Sequence, residues 1–406
     1  MIEGAFATEA VGRPSASPWP RVAISDVART SSGTTPSRRR AERYFVGGTV
    51  PWVKTLDLRN GEISATDECV TNLAVQETSL QVYPPGTVLV AMYGGFNQIG
   101  RTGLLRTPAC VNQALSAIQV NRNRVVPEYL LAVLNFRVEH WKAVASSSRK
   151  DPNITGNDVR AFELPLPSMD EQRSIATTLS DVDALLAKLH RLIAKKRDLK
   201  QAAMQQLLTG RIRISGFSGE WQPTRLGDLA NLTMGRTPSR RVQAYWGSGY
   251  MWASIADMQT KVLSETAEQI TEVGASGVPI IPAGTLLMSF KLSIGRLAFA
   301  GCDLFTNEAI CAFRKLKANA SFLYYALQRV DFSQYGKQAV KGYTLNKQSL
   351  NAVEVLLPEI REQQAIAEVL SDLDAEIDAL VARRNKTRQL KQGMMQALLT
   401  GRIRLT

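Results

Sequence analysis

Residues 171–213 read EQRSIATTLSDVDALLAKLHRLIAKKRDLKQAAMQQLLTGRIR, and residues 362–404 read EQQAIAEVLSDLDAEIDALVARRNKTRQLKQGMMQALLTGRIR. The two segments align without a gap at a constant offset of about 191 residues, and about 24 of their 43 positions are identical. Chance does not produce a match of this length, so the chain contains an internal repeat. Each copy follows a longer and more variable stretch of sequence.

Each repeated segment predicts one long helix with an apolar seam. Its apolar residues recur at alternating steps of four and three, and this period keeps one stripe facing a partner helix. The seam consists of Ile175, Leu179, Val182, Leu186, Leu189 and Ile193 in the first copy, and of Ile366, Leu370, Leu373, Ile377 and Leu380 in the second. Ser168 with Glu171 fits a capping box, and Gly210 and Gly401 suit the C-terminal ends.

Two arrangements of these helices are compatible with the pattern. Each helix could pack only on its own domain, or the two could pair as a coiled coil. Two matching copies in one chain favour pairing. Because a whole globular domain separates the copies, we expect an antiparallel coiled coil with pseudo-twofold symmetry between the two domains.

The repeat extends upstream more faintly. The run GTTPSRR at 33–39 matches GRTPSRR at 235–241, and Trp19 precedes its run at the same distance as Trp221 does. The predicted organisation is a flexible N-terminal tail (1–18), a first variable domain (19–167), a helix (168–213), a second variable domain (214–357) and a second helix (358–406).

The variable domains are predicted to be α+β. Strand-like runs at 87–92 and 285–290 follow turn signals, and helix-like runs occupy 127–134 and 320–330. We expect four aromatic residues to belong to the cores, namely Tyr44, Trp52, Tyr245 and Trp252.

The charge of the chain indicates a polyanionic partner. Its net charge is +13 and its pI is near 9.7, and Lys and Arg release counterions when they bind phosphates. Candidate DNA-binding residues beside turn signals are Arg38, Arg39, Arg40, Lys54, Arg101, Arg240, Arg241, Lys291 and Arg296. Solvated surface charges and an anionic membrane surface are the alternatives. The chain has no apolar run that could span a bilayer and no signal peptide pattern, so we expect a cytoplasmic protein.

No motif for catalysis or metal binding stands out. The four cysteines are scattered and there are only two histidines, so we expect no metal site and no catalytic residues. Phosphate-binding glycine loops are absent. The pair Asp181 and Asp183 lies on the repeated helix, where solvated faces or subunit contacts explain it.

The chain resembles the specificity subunit of type I restriction-modification systems. The resemblance is carried by the Glu-Gln-x-x-Ile-Ala start of both helices, by the Leu-Leu-Thr-Gly-Arg end, and by Phe217-Ser218-Gly219-Glu220-Trp221. It implies two target recognition domains that each read half of a bipartite, asymmetric site in double-stranded DNA. It also implies that the helices fix the spacing and dock two methyltransferase subunits, which restriction/translocase subunits join. S-adenosylmethionine would bind the methyltransferase subunits, and this chain would hold no cofactor.

Three other functions stay open. A related system could combine nuclease and methyltransferase in one partner chain. The chain could be an enzyme acting alone, although the missing motifs argue against this. It could also be a coiled-coil scaffold whose domains bind protein and have no affinity for DNA.

Overall fold

The computed structural model describes residues 19–146, 153–291, 293–339 and 342–405. The predicted flexible tail, 1–18, lies outside the described residues. The chain divides into two compact units: unit 1 takes Met1–His190 and Arg383–Thr406, and unit 2 takes Arg191–Ala382. Unit 1 is therefore assembled from two separate stretches of sequence, whereas unit 2 is continuous.

Unit 1 is built on a five-stranded sheet in the order β2-β9-β6-β7-β4. A three-stranded sheet, β5-β3-β8, and the pair β1-β10 accompany it. The strands are β1 (Arg21–Ala23), β2 (Ala28–Ser32), β3 (Val50–Val53), β4 (Gly61–Ile63), β5 (Cys69–Val70), β6 (Val88–Ala91), β7 (Thr102–Leu105), β8 (Cys110–Val111), β9 (Leu115–Val120) and β10 (Glu163–Pro165). The helices are α1 (Ile24–Val27), α2 (Ala41–Tyr44), α3 (Asn72–Glu77), α4 (Pro127–Phe136), α5 (Val138–Ser146), α6 (Gly156–Ala161) and α7 (Met169–Leu207), of which the part after His190 belongs to unit 2.

Both faces of the five-stranded sheet are buried. Val88 and Val90 point into a core that includes Tyr129 of α4, and Leu89 points into a second core with Tyr83 on the opposite face. A strand covered on both faces reads as a continuous apolar run rather than an alternating one. This explains why 87–92 was recognisable as a strand, and that prediction is confirmed by β6.

Unit 2 repeats this topology. Its five-stranded sheet has the order β12-β19-β16-β17-β14 and its three-stranded sheet the order β15-β13-β18, with the pairs β11-β22 and β20-β21. The strands are β11 (Gln222–Arg225), β12 (Asn231–Met234), β13 (Trp246–Ala253), β14 (Val262–Leu263), β15 (Glu268–Ile270), β16 (Leu286–Ser289), β17 (Leu297–Ala300), β18 (Phe305–Thr306), β19 (Ile310–Arg314), β20 (Lys337–Ala339), β21 (Gly342–Thr344) and β22 (Glu354–Leu357). The helices are α8 (Leu226–Leu229), α9 (Glu272–Ala275), α10 (Ala320–Leu327), α11 (Lys347–Asn351) and α12 (Ile360–Leu399), of which the part from Arg383 belongs to unit 1.

The strand and the helix predicted in the second variable domain are also present. The strand expected at 285–290 is β16, and the helix expected at 320–330 is α10, which ends three residues early. It ends there because the next amides turn back to nearer carbonyls: Gln328 N donates to Tyr325 O at 3.2 Å and Arg329 N to Ala326 O at 3.1 Å. Such bonds tighten the last turn of a helix.

The repeated segments form the two long helices, α7 and α12, of 39 and 40 residues. In unit 1, Lys391 Nζ lies 2.6 Å from Asp183 Oδ1. In unit 2, Lys200 Nζ lies 2.5 Å from Asp374 Oδ1, and Lys196 pairs with Glu376. Within each unit the start of one helix thus packs beside the end of the other, which confirms the antiparallel pairing.

The predicted seam lies on the covered side of both helices. Seven of its residues are buried, namely Ile175, Leu179, Leu189, Ile193, Ile366, Leu370 and Ile377, and four are half-buried, namely Val182, Leu186, Leu373 and Leu380. Ile175 and Leu179 share the core of unit 1 with Leu398 and Leu399 of α12. The first turns of a helix therefore pack both on their own domain and on the partner helix. Within the described ranges, no helix is long and apolar enough to cross a membrane.

Candidate nucleic-acid interface

The GTTPSRR and GRTPSRR runs form the same loop in the two units. A Cβ at Gly33 would lie 1.9 Å from the carbonyl oxygen of Val111, and one at Gly235 would lie 2.0 Å from that of Thr306. Only glycine allows this approach of two backbones. The amide after each glycine then donates to the same carbonyl, at 3.0 Å in unit 1 and 2.8 Å in unit 2. The loop is thereby fixed to β8 in unit 1 and to β18 in unit 2.

A tryptophan holds each loop from the other side. Trp52 Nε1 donates to Thr34 O at 3.1 Å, and Trp252 Nε1 donates to Arg236 O at 3.0 Å. Both indoles are 2% exposed, as the sequence predicted for core residues. Tyr44 is also buried, whereas Tyr245 is only half-buried.

The first arginine of each run forms an ion pair within its own unit, although about half of its side chain stays exposed. Arg38 forms a bidentate ion pair with Glu68, with Nη2 and Oε2 2.9 Å apart, and its guanidinium lies 4.1 Å from the Phe45 ring centroid. Arg240 likewise pairs with Glu268 and lies 3.7 Å from the ring centroid of Trp246. These contacts position the loop and occupy the guanidinium groups.

The ion pair changes the acidity of Glu68. Hydrogen bonds from Arg38 outweigh the opposing effect of burial and lower the pKa of Glu68 to about 2, with Lys54 Nζ adding a contact at 3.1 Å. Because this pKa is below the ordinary value, the pair stabilises the fold above about pH 4.5 and is lost as the pH falls towards 2. The pKa of Glu268 is lowered by Arg240 in the same way.

Three further candidate cations lie on or beside the two runs. Arg39 and Arg241, the second arginines of the two runs, are exposed. Arg40 is exposed too, and its Nη1 donates to Tyr44 OH at 3.4 Å.

The remaining candidates sit on the turns beyond β6 and β16. Arg101 Nε donates to Asn97 O at 3.0 Å, Arg296 Nη1 donates to Ile255 O at 3.3 Å, and Lys291 Nζ lies 5.5 Å from the Phe290 ring centroid. The structure therefore brings Arg38 and Lys54 together on one glutamate. Within the described part of the chain, Arg101 makes no hydrogen bond or ion pair with that cluster.

The burial and ion pairing of two glutamates, Glu171 and Glu362, were not predicted from the sequence. Glu171 is 3% exposed and accepts both Nε and Nη2 of Arg404, at 2.7 and 2.9 Å, while Trp19 Nε1 donates to it at 3.2 Å. In unit 1 a tryptophan, a glutamate and an arginine of the repeat therefore bind one another.

Unit 2 makes the same anchor. Glu362 is fully buried and accepts Arg213 Nε and Nη2 at 2.6 and 2.7 Å, with Trp221 Nε1 at 3.3 Å. Burial of a carboxylate requires such a partner, because an unpaired charge is costly in the interior.

The glutamine that follows each buried glutamate ties the helix to its domain. Gln172 accepts the amide of Val126 at 2.9 Å and donates to the carbonyl of Pro167 at 3.0 Å. Gln363 accepts the amide of Asn319 at 2.8 Å and donates to the carbonyl of Pro358 at 2.8 Å. The Glu-Gln dipeptide therefore acts as a structural anchor of the helix start. No group of three potential metal ligands occurs among the described residues.

Comparison with protein families gives a clear match. The model of the type I restriction modification DNA specificity domain matches twice, at residues 16–197 and 218–389. The two matches follow the internal repeat and together cover most of the chain.

Individual relatives agree with the family match. The MjaIX specificity subunit of a type I restriction enzyme from Methanocaldococcus jannaschii is 27% identical over 277 residues, which are 63% of this chain and 61% of that protein. The MjaVIII specificity subunit from the same organism is 21% identical over 421 residues, covering 95% of this chain and 93% of that protein. The first alignment thus spans less than two thirds of the relative. Both relatives are named specificity subunits of type I restriction enzymes.

Solved structures share the fold. The crystal structure of the S subunit of a type I restriction-modification system from M. genitalium has a TM-score of 0.62 and 15% identity, covering 94% of this chain and 96% of that one. A chain from a study of complex assembly in the type I system has a TM-score of 0.60 and 19% identity, covering 96% and 100%. The chain belongs to the type I restriction modification DNA specificity family, as the motifs of its repeated helices predicted.

Proposed function

We propose that this chain is the DNA sequence-specificity subunit of a type I restriction-modification complex, in which each domain reads one half of a bipartite site. The observation that carries the proposal is the duplicated loop. Both units fix the same glycine-containing loop with a buried tryptophan and an internal arginine–glutamate pair. Two domains with the same recognition loop in one chain suit a DNA target that consists of two half-sites.

The base sequences of the two half-sites are expected to differ. After the shared arginines the loops diverge, with Arg40 and Ala41 in unit 1 replaced by Val242 and Gln243 in unit 2. The neighbouring strand differs as well: β3 has four residues, whereas β13 has eight and contains a register shift. Bases are read by side chains that reach groove edges, so different loops select different bases. We therefore infer an asymmetric target.

The long helices supply the spacing in this proposal. A helix of 39 or 40 residues is about 60 Å long, because each residue adds about 1.5 Å. Their pairing within each unit makes them stiffer than a flexible linker. A spacer of fixed length would select half-sites at a fixed separation along the duplex.

Two equivalent apolar surfaces favour two docked methyltransferase subunits. In unit 1, Leu390 and Ile403 are 60% and 55% exposed, and they line a groove of about 590 Å³ with Met394 and Leu398. Their counterparts in unit 2, Leu199 and Ile212, are 47% and 50% exposed. Exposed apolar patches of this kind mark protein contacts. The catalytic chemistry, S-adenosylmethionine and the restriction/translocase subunits would belong to the partners.

A domain exchange tests the proposal. Residues 19–167 are replaced by the corresponding domain of another specificity subunit, and the modified motif is read by methylation-sensitive sequencing of DNA from cells that express the complex. We expect one half of the motif to change and the other half to persist. Exchange of residues 214–357 is the matched control and should change the opposite half. A change of both halves after either exchange would overturn the proposal.

A further inference from the structure

A polar cluster fills the junction between helices and domain in unit 2. Lys261 Nζ donates to Tyr325 OH at 2.7 Å and to Asp374 Oδ2 at 3.1 Å. Tyr325 OH donates to the same carboxylate oxygen at 2.6 Å, while Lys200 Nζ lies 2.5 Å from the other oxygen, and Ser371 Oγ lies 3.3 Å from the phenol. Tyr325 and Lys261 come from the domain, and the other three residues come from the helices.

The helix side of this cluster is retained in unit 1. The constant offset of the repeat makes Asp183 the equivalent of Asp374, Ser180 that of Ser371, and Lys391 that of Lys200. Lys391 Nζ and Asp183 Oδ1 form the same ion pair as in unit 2, at 2.6 Å.

The domain side differs, beginning with the helix that packs against α7 or α12. Gln172 accepts the amide of Val126 and Gln363 accepts that of Asn319, so these two residues are equivalent. Six residues further along stand Ala132 in unit 1 and Tyr325 in unit 2. The phenol of unit 2 is therefore replaced by a methyl group in unit 1.

The strand that supplies the lysine shows the same reduction. Glu62 pairs with Leu104 in the way that Val262 pairs with Phe299, so the preceding residues, Gly61 and Lys261, correspond. Unit 1 thus lacks the amine as well as the phenol.

The missing side chains leave a cavity of about 390 Å³ in unit 1. Gly61, Ala132, Ser180 and Asp183 line it, and Leu131 and Leu179 add apolar surface. Asp183 is accordingly 55% exposed, whereas Asp374 is 19% exposed beneath Tyr325 and Lys261. Asp374 and Ser371 bind the phenol of Tyr325 in unit 2, whereas their equivalents in unit 1, Asp183 and Ser180, are exposed to solvent.

We propose that this cavity is a binding site for a phenol that carries a basic amine. The ring would occupy the place of the Tyr325 ring and donate its hydroxyl to Asp183, and the ammonium would occupy the place of the Lys261 amine. Volume and lining suit a small aromatic ligand with a few polar contacts. Two further carboxylates, Glu62 and Glu128, line the cavity, and both pair with Arg106. Two cations, Arg59 and Lys391, line it as well, and Lys391 pairs with Asp183. The charges of the lining nearly balance, so the choice of an amine follows from the position of the Lys261 ammonium in unit 2.

The same chemistry can come from two sources, a free aromatic amine or a tyrosine beside a lysine on the methyltransferase partner. Tyramine is the probe. We expect saturable binding of one tyramine per full-length chain, measured by calorimetry and ligand-observed NMR, and we expect it to raise the melting temperature. If the bound partner displaces tyramine, the site belongs to a side chain of that partner. If tyramine binds equally well to the complex, the ligand is a free amine.

Variants make the test specific to this cavity. Gly61→Lys with Ala132→Tyr copies the filled site of unit 2 and should weaken tyramine binding at least tenfold. A Cβ at position 61 meets nothing nearer than the Arg59 carbonyl oxygen at 4.0 Å, so the lysine has room. Asp183→Asn, on the helix surface, should weaken binding without refilling the core.

Opening the equivalent site in unit 2 provides the converse. Lys261→Gly with Tyr325→Ala should raise the stoichiometry from one tyramine to two. Absence of binding to the wild-type chain, or binding that is unchanged in the filled variant and in Asp183→Asn, would overturn the proposal. Either result leaves the proposed DNA recognition untouched, because that is measured by the domain exchange.

Discussion

Unit 1 and unit 2 bury the same glutamate and pair it with the same arginine of the repeat, but they enclose the pair to different degrees. Glu362 is fully buried and the Arg213 side chain is 25% exposed, whereas Glu171 is 3% exposed and the Arg404 side chain is 45% exposed. The repeat thus preserves the bonding of the anchor, while the surroundings set how far water reaches it. The two anchors therefore need not contribute equally to the stability of the fold, although their residues are the same.

The largest expected effect separates the two copies of the seam. Leu189 is 4% exposed, and its repeat equivalent Leu380 is half-buried. Leu189→Asp should lower the free energy of unfolding by more than about 3 kcal/mol, because truncation of a buried leucine alone costs about 2–5 kcal/mol and the new charge is unpaired. Leu380→Asp should cost about half as much. Urea unfolding followed by circular dichroism measures both.

The control for the seam is Leu185→Asp on the same helix. Leu185 is 36% exposed, so its replacement should change stability by less than about 1 kcal/mol. A similar loss at Leu185 and Leu189 would show that the seam is not the stabilising face of the helix.

An intermediate effect is expected at the two anchors. Arg213→Ala leaves a fully buried carboxylate without its guanidinium, so the melting temperature should fall by about 5–10 °C. Arg404→Ala should lower it by roughly half as much, because water reaches that pair more easily. Differential scanning fluorimetry of the full-length chain compares them.

Neutralising the buried carboxylate that has lost its partner tests this cause. Glu362→Gln in the Arg213→Ala background should restore part of the lost melting temperature, since no buried charge then remains unpaired. Equal losses for Arg213→Ala and Arg404→Ala, with no recovery in the double variant, would contradict the difference in enclosure.

The smallest effect concerns DNA binding by the two loops. Arg39→Ala and Arg241→Ala should each weaken binding by the partner-bound complex to all duplexes alike and reduce the salt slope of the affinity by about 1, as expected for loss of one phosphate contact. Fluorescence anisotropy at several salt concentrations measures the slope. Arg225→Ala is the control, because Arg225 is exposed but pairs with Glu354 at 3.3 Å. An unchanged slope in both loop variants would remove these arginines from the interface.

Much of the fold was predictable because it depends on local patterns. The 3.5-residue period marked both long helices, and the apolar run of β6 marked a strand buried on two faces. The capping box was only half right. Glu171 N does donate to Ser168 Oγ at 3.3 Å, but the Glu171 side chain binds Arg404 instead of returning to the helix start. Its partner lies too far away in sequence for a local pattern to reveal.

The same limit applies to the candidate cations. The sequence marks Arg38 and Arg39 equally, and both are exposed, yet the fold pairs Arg38 with Glu68. The repeat offered one signal for this pairing, because both halves of the chain have a glutamate at the equivalent position, Glu68 and Glu268, just as both have the arginine. Their roles in DNA binding stay predictions, since base readout depends on placement against a duplex.

The discontinuity of unit 1 has a consequence for the order of biosynthetic folding. Arg213 and Glu362 are 149 positions apart, and both belong to the continuous unit 2. Glu171 and Arg404 of unit 1 are 233 positions apart, so Glu171 is translated long before its partner. At about 5–20 residues per second, a ribosome needs roughly 10–50 s to add that stretch. The domain that is translated first is thus the last to receive its own counter-ion, and the nascent chain carries an incomplete core throughout that interval.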